Sequence, residues 1–144
     1  MTRAAGGAGG AARPARRRAP VCPGPELDRL VIAALGDEPA PLSAYALVER
    51  VRERGQHCYV MAVYRSLDRL CTRDLVERVE SLSSYRLRTA SDAVLMVCAQ
   101  CGAATALPIA QQHAQLWASV TATGFAIRKL AVEAVGLCGN CRED

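Results

Sequence analysis

The sequence predicts an α+β protein: an N-terminal winged helix-turn-helix followed by a small α/β unit whose ends are gathered by cysteines. Three observations predict it. Apolar residues recur at helical spacing in three successive stretches, and a strand-turn-strand alternation follows them. Beyond residue 90 the composition changes to continuous apolar runs flanked by two CxxC pairs.

Residues 1–24 are mainly Gly, Ala, Arg and Pro, with five arginines (Arg3, Arg13, Arg16, Arg17, Arg18) and no acid. They have too little to bury to offset the entropy of ordering, so a disordered Arg-rich tail is expected there. The remaining 13 basic and 14 acidic side chains leave a nearly neutral body under an overall charge of +4, so bulk charge says nothing about a nucleic-acid partner. Seventeen of the 18 basic residues are arginine, a bias that a GC-rich genome would also produce. No run reaches the roughly 18 apolar residues of a membrane span, and no secretory leader is visible. The expected product is soluble and cytoplasmic.

Residues 25–90 read as one domain. Pro25 suits a first helical position, and Leu27, Leu30, Val31, Ala34 and Leu35 share one face before Gly36. After the Pro39 and Pro41 break, Ser43 can cap a second helix carrying Ala44, Leu47, Val48 and Val51, which Gly55 stops. A third helix is expected over Val60–Thr72, buried through Val63, Leu67 and Leu70, with Met61, Tyr64, Arg65 and Asp68 projecting to the side and back. A strand at 76–80, a polar turn at 81–84 and the alternation Tyr85 in, Arg86 out, Leu87 in, Arg88 out complete a two-stranded wing.

Residues 91–144 read as a second unit of about 50 residues, a size at which one core is marginal without a metal or partner. The apolar run 93–97 predicts a fully buried strand, and a further apolar run ends at Leu107. Pro108 should open a helix with Ile109, Leu116, Trp117 and Val120 on one face, closed by Gly124. Residues 125–135 read as a long strand.

Each CxxC pair, Cys98/Cys101 and Cys138/Cys141, follows a predicted strand. A CxxC turn aims two thiolates at one ion, and four thiolates close a tetrahedral structural zinc site. The alternatives are separate redox pairs or inert buried thiols. The redox reading would make the chain a thiol-disulfide oxidoreductase, although neither pair opens a helix in a βαβ pattern. No serine-histidine-acid set or phosphate-cradling glycine loop points to another enzyme.

The strings Leu42-Ser-Ala-Tyr-Ala-Leu47, Ala62-Val-Tyr-Arg-Ser-Leu-Asp68 and Val79-Glu-Ser-Leu-Ser-Ser-Tyr85, with both CxxC pairs, resemble the ferric uptake regulator family, especially its zinc-uptake-regulator branch. The resemblance spans roughly residues 25–142. It implies a dimeric transcriptional regulator, a repressor, whose winged helix reads a palindromic double-stranded DNA operator and whose C-terminal α/β unit dimerises around one structural zinc per chain. It assigns base contacts to Tyr64 and Arg65 and a further DNA contact to Tyr45. These types suit the task, since an arginine fork can bond guanine O6 and N7 and a tyrosine ring can pack on a thymine methyl. Arg86 and Arg88 on the wing are candidate phosphate contacts. A zinc-bearing interaction module without DNA binding is the remaining alternative.

Metal-sensing members of this family carry a second site at the hinge. Here Glu77 and Arg88 stand where that branch has a histidine and a cysteine, Ser91 and Asp92 stand near the strand entry, and residues 103–107 are apolar. A guanidinium cannot ligate a cation. Glu77, Glu80 and Asp92 offer at most a weak hard-cation site. The regulatory metal site is therefore expected to be lost or rebuilt. His113 should be a core or interface histidine, His57 and Cys58 ordinary loop residues, and Cys71 buried packing; Cys22-Pro23 resembles a haem-regulatory dipeptide.

Overall fold

The computed structural model describes residues 21–142, and the tail expected over 1–24 lies outside them up to residue 20. Three helices form the head: α1 (Gly24–Asp37), α2 (Ala44–Glu53) and α3 (Val60–Thr72). They form where the spacing predicts because their stripes meet. Leu27, Val31, Leu47, Val51, Val63, Leu67 and Leu70 lie together in one core, each fully buried. Burying a side chain of this size stabilises by about 1.5–3 kcal/mol. The Ser43 hydroxyl accepts from the Ala46 amide at 3.2 Å, the expected cap of α2.

Order starts earlier than Pro25. Val21 bridges His57 in parallel, the Cys22 amide donates to the His57 carbonyl at 3.0 Å, and Cys22 is buried in the head core. A thiol used as packing explains why it gave no helical signal.

One polar network crosses this core. Arg69 grips Asp28 through Nε at 3.1 Å and Nη2 at 2.6 Å, and the fully buried Ser66 hydroxyl donates to Asp28 at 2.5 Å. Burial alone would raise the Asp28 pKa, but the hydrogen bonds from Arg69 and Ser66 outweigh it and hold the carboxyl below its ordinary value. A carboxylate with a lowered folded pKa contributes stability above its unfolded pKa and loses it as pH falls through the folded one. Asp28→Ala should therefore cost about 1–3 kcal/mol at neutral pH, because Ser66 is left buried without a partner. Urea unfolding at several pH values should show that cost shrinking below about pH 4.

The wing pairs β1 (Val76–Val79) with β2 (Ser84–Leu87) in antiparallel register, Glu77 opposite Arg86, around a 3-10 turn at Glu80–Leu82. Leu42 bridges Tyr85 as a third short rung. Alternation puts Val76 and Tyr85 toward the head core, while Glu77, Val79 and Arg86 share the opposite face. That face is not open to solvent: Val79 packs with the second unit's Leu95, Val97 and Ala104. The expected outward Arg86 is corrected accordingly, with only 15% of its side chain exposed.

The second unit holds β3 (Ala93–Cys98), β4 (Ala104–Pro108), α4 (Ala110–Ala122) and β5 (Val132–Gly136), with sheet order β4-β3-β5. β3 runs antiparallel to β4 and parallel to β5. Three expectations change. β3 is buried on one face only, through Leu95 and Val97, while Met96 is 42% exposed. The strand expected over 125–135 is confined to Val132–Gly136, because β3 offers pairing partners only to those residues. Helix α4 begins after Ile109 because Pro108 is spent pairing with Ala93. None of its residues is buried within the protomer.

Candidate metal centre and reading face

Cys98 ends β3, and Cys138 lies two residues beyond β5. The parallel register sets Cys98 beside Gly136, so both CxxC turns emerge at the same end of the sheet. The first turn is closed by the Gly102 amide on the Cys98 carbonyl at 3.0 Å, with Gly102 at φ +73, a conformation that favours glycine. The second is closed by the Cys141 and Arg142 amides on the Cys138 carbonyl, both at 2.9 Å.

The four sulfurs of Cys98, Cys101, Cys138 and Cys141 all lie within 4.8 Å of one another. Cys101 and Cys138 Sγ are 3.8 Å apart. A tetrahedron with metal–sulfur bonds of about 2.3 Å has edges of about 3.8 Å, so the cage fits zinc. Its electrostatics fit as well. Backbone N–H groups, of Cys101 first and Cys138 next, pull the Cys98 thiol down to about 6. Cys141 is pushed up to about 12, by hydrogen bonding to Cys138 first and burial second. Thiols crowded this closely ionise easily once and then resist further charge, which a dication would offset. Two CxxC pairs meeting in one cage do not favour separate redox centres.

The candidate DNA residues are spread over three elements. Tyr45, in the first turn of α2, is 68% exposed. On α3, Arg65 is exposed and Tyr64 half-buried against the head core, with Met61 also projecting. No acid pairs with Arg65 among the described residues. The wing arginines are placed differently. Arg86 faces Glu77 at 3.7 Å and donates to Thr89 at 3.2 Å, and Arg88 reaches Asp74 at 2.5 Å.

At the hinge the acidic side chains do not converge. Glu77 faces Arg86, Glu80 lies beside Arg78 and Lys129, and Asp92 contacts His113 Nδ1 at 3.1 Å. Burial raises the Glu77 pKa against the pull of Arg86 and Arg88. Among the described residues, the group of three or more potential ligands that meets is the four-cysteine cage. Cys58 is fully buried and Cys71 packs against the head core. Sequence reasoning missed the Asp92 partner of His113, and it missed Glu133, whose oxygens accept the Glu80 and Ser81 amides at 2.6 and 2.9 Å. Neither pairing leaves a local signal, since the partners are 21 or more positions apart.

The sequence matches the ferric uptake regulator family over residues 28–135. It is 31% identical over 118 residues to the zinc uptake regulation protein of Escherichia coli (strain K12), covering 78% of this chain and 69% of that protein. It is 29% identical over 105 residues to the zinc uptake regulation protein of Mycobacterium tuberculosis (strain ATCC 25618 / H37Rv), covering 69% and 79%. Among solved structures, a zinc uptake regulator complexed with zinc and DNA superposes with a TM-score of 0.73 at 28% identity, covering 80% of each chain. Holo XcZur superposes at 0.72, also at 28% identity, covering 80% of this chain and 83% of that one. On these matches, and with its helical head, wing and four-cysteine cage, the chain belongs to the ferric uptake regulator family.

Proposed function

We propose that this chain is a cytoplasmic, sequence-specific DNA-binding transcriptional regulator, a repressor, acting as a homodimer on a double-stranded operator of two half-sites. Residues 25–90 are the reading head and residues 91–144 the dimerising unit, which one structural zinc per chain holds through Cys98, Cys101, Cys138 and Cys141. Helix α3 enters the major groove, where Arg65 bonds a guanine and Tyr64 packs beside it, while Tyr45 of α2 reaches the flanking backbone or base. Arg88 supplies a phosphate contact once it leaves Asp74. Arg86, covered and facing Glu77, is dropped from the contact set.

The observation that carries this reading is the exposed Arg65, free of acidic partners among the described residues, on a helix whose opposite face is core. An arginine held that way is presented to a ligand that supplies its own acceptors. No regulatory metal is assigned, because Arg78, Arg86, Lys129 and His113 already occupy the hinge acids.

Selection of duplexes from random DNA by the zinc-loaded protein should yield a two-fold symmetric sequence. Arg65→Ala should then weaken that operator by about 1–3 kcal/mol and relax choice at one base pair per half-site. An equal loss on operator and random duplex, read by fluorescence anisotropy, would rule out direct readout by this residue. A wild-type protein that selects no duplex would leave the zinc-bearing interaction module.

A further inference from the structure

By connectivity the wing belongs to the head, yet the second unit holds it at three points. Val79 is fully buried with Leu95, Val97 and Ala104, and Leu82 of the turn packs against the same cluster. Lys129 Nζ lies 3.8 Å from the Glu80 carboxylate. Glu133 of β5 reaches the turn with both oxygens: Oε1 accepts the Glu80 amide at 2.6 Å and Oε2 accepts the Ser81 amide at 2.9 Å.

These contacts differ in what they fix. Apolar packing at Val79 sets a distance but lets the two bodies rotate or slide with little penalty, because dispersion and burial are nearly non-directional. A carboxylate that receives two adjacent backbone N–H groups, one on each oxygen, is directional, and such charge-assisted pairs are the stronger kind. Val79 is thus a pivot, and Glu133 removes the rotation about it.

We propose that Glu133 is a positioning residue that locks the wing, and with it α3, at one angle to the second unit, and so sets the half-site separation that the homodimer accepts. This rests on the DNA-binding dimer proposed above. In a two-headed reader, half-site spacing mirrors the placement of the two recognition helices, and a shift of about 3.4 Å along the duplex is one base pair. A junction free to rotate would tolerate neighbouring spacings, and a clamped one would not.

The test uses the zinc-loaded full-length protein and the operator obtained by selection, together with that operator lengthened or shortened by one base pair between half-sites, and a single half-site. Wild type should lose about tenfold or more in affinity on either altered spacing. Glu133→Ala should bind the native operator about tenfold more weakly, lose less than about threefold further on the altered spacings, and match wild type on the single half-site. Glu133→Gln, which keeps one acceptor but turns an NH2 toward the other amide, should fall between them and guards against a variant that fails to fold. Hydrogen exchange at the Glu80 and Ser81 amides should quicken in the same order. An equal loss on the single half-site, or a spacing profile unchanged while amide protection is lost, overturns the positioning role. Failure of wild type to select any duplex sinks the DNA reading, and the spacing role with it, while faster exchange in the variants would still identify the clamp.

Discussion

Serine in place of Cys98 or Cys138 should strip the metal from the chain and unfold the second unit while the three-helix head stays folded. The imbalance between the two halves is the reason. The head core gathers 15 buried side chains, whereas the second cluster has only Val79, Leu95, Val97 and Ala104. Four buried side chains are a small core for some 50 residues, a size at which a metal or a partner is needed for stability. Zinc held by the cage would contribute on the order of 10 kcal/mol or more, and dimer contacts would add to it. Elemental analysis should fall from about one zinc per chain to a small fraction of that. Trp117 fluorescence should report the second unit opening, while head amides keep their protection. The same release should follow acidification, because ligand thiols must be deprotonated to hold the ion. An unsubstituted protein that is folded, free of metal and shows all four cage thiols titratable would overturn the zinc site.

Leu116→Glu together with Val135→Glu should convert the dimer to a monomer. No residue of helix α4 is fully buried within its own chain, and Leu107, Leu116, Trp117, Phe125, Val135 and Leu137 are all at least 37% exposed in the second unit. An apolar surface this dense on about 50 residues marks an association site, and β5 adds an outer strand whose free edge can pair. Charges at both places would face burial without partners. Sedimentation should give half the mass, and operator affinity should fall by a factor on the order of 100 or more as two-headed binding is lost. Unchanged mass would place the dimer contact elsewhere.

The head was legible because its information is local. The spacing of Val63, Leu67 and Leu70 marked the buried face of α3, and Ser43 marked where α2 starts. The metal cage was legible for a different reason: CxxC spacing fixes chemistry independently of what surrounds it. What stayed hidden is long-range. Arg86 sits in an alternating strand and should face water, but nothing near it announces that residues beyond 94 cover that side. The long run 125–135 has strand composition along its length, yet β3 is six residues long and on that edge pairs only with Val132–Gly136. Glu133 looks like any solvated acid until the turn 52 residues earlier comes into reach.

The parallel course of β3 and β5 has a consequence for how the chain reaches its native state. Had the last strand docked the other way up, its cysteines would emerge about 15 Å from Cys98, at the opposite rim of the sheet. A slip of one residue would also turn their sulfurs toward the wrong side. Zinc can bridge neither arrangement, so its capture rewards one topology and one alignment among several that bury similar greasy surface. A zinc held by the four cysteines would thus act as a proofreader of the fold as well as its fastener.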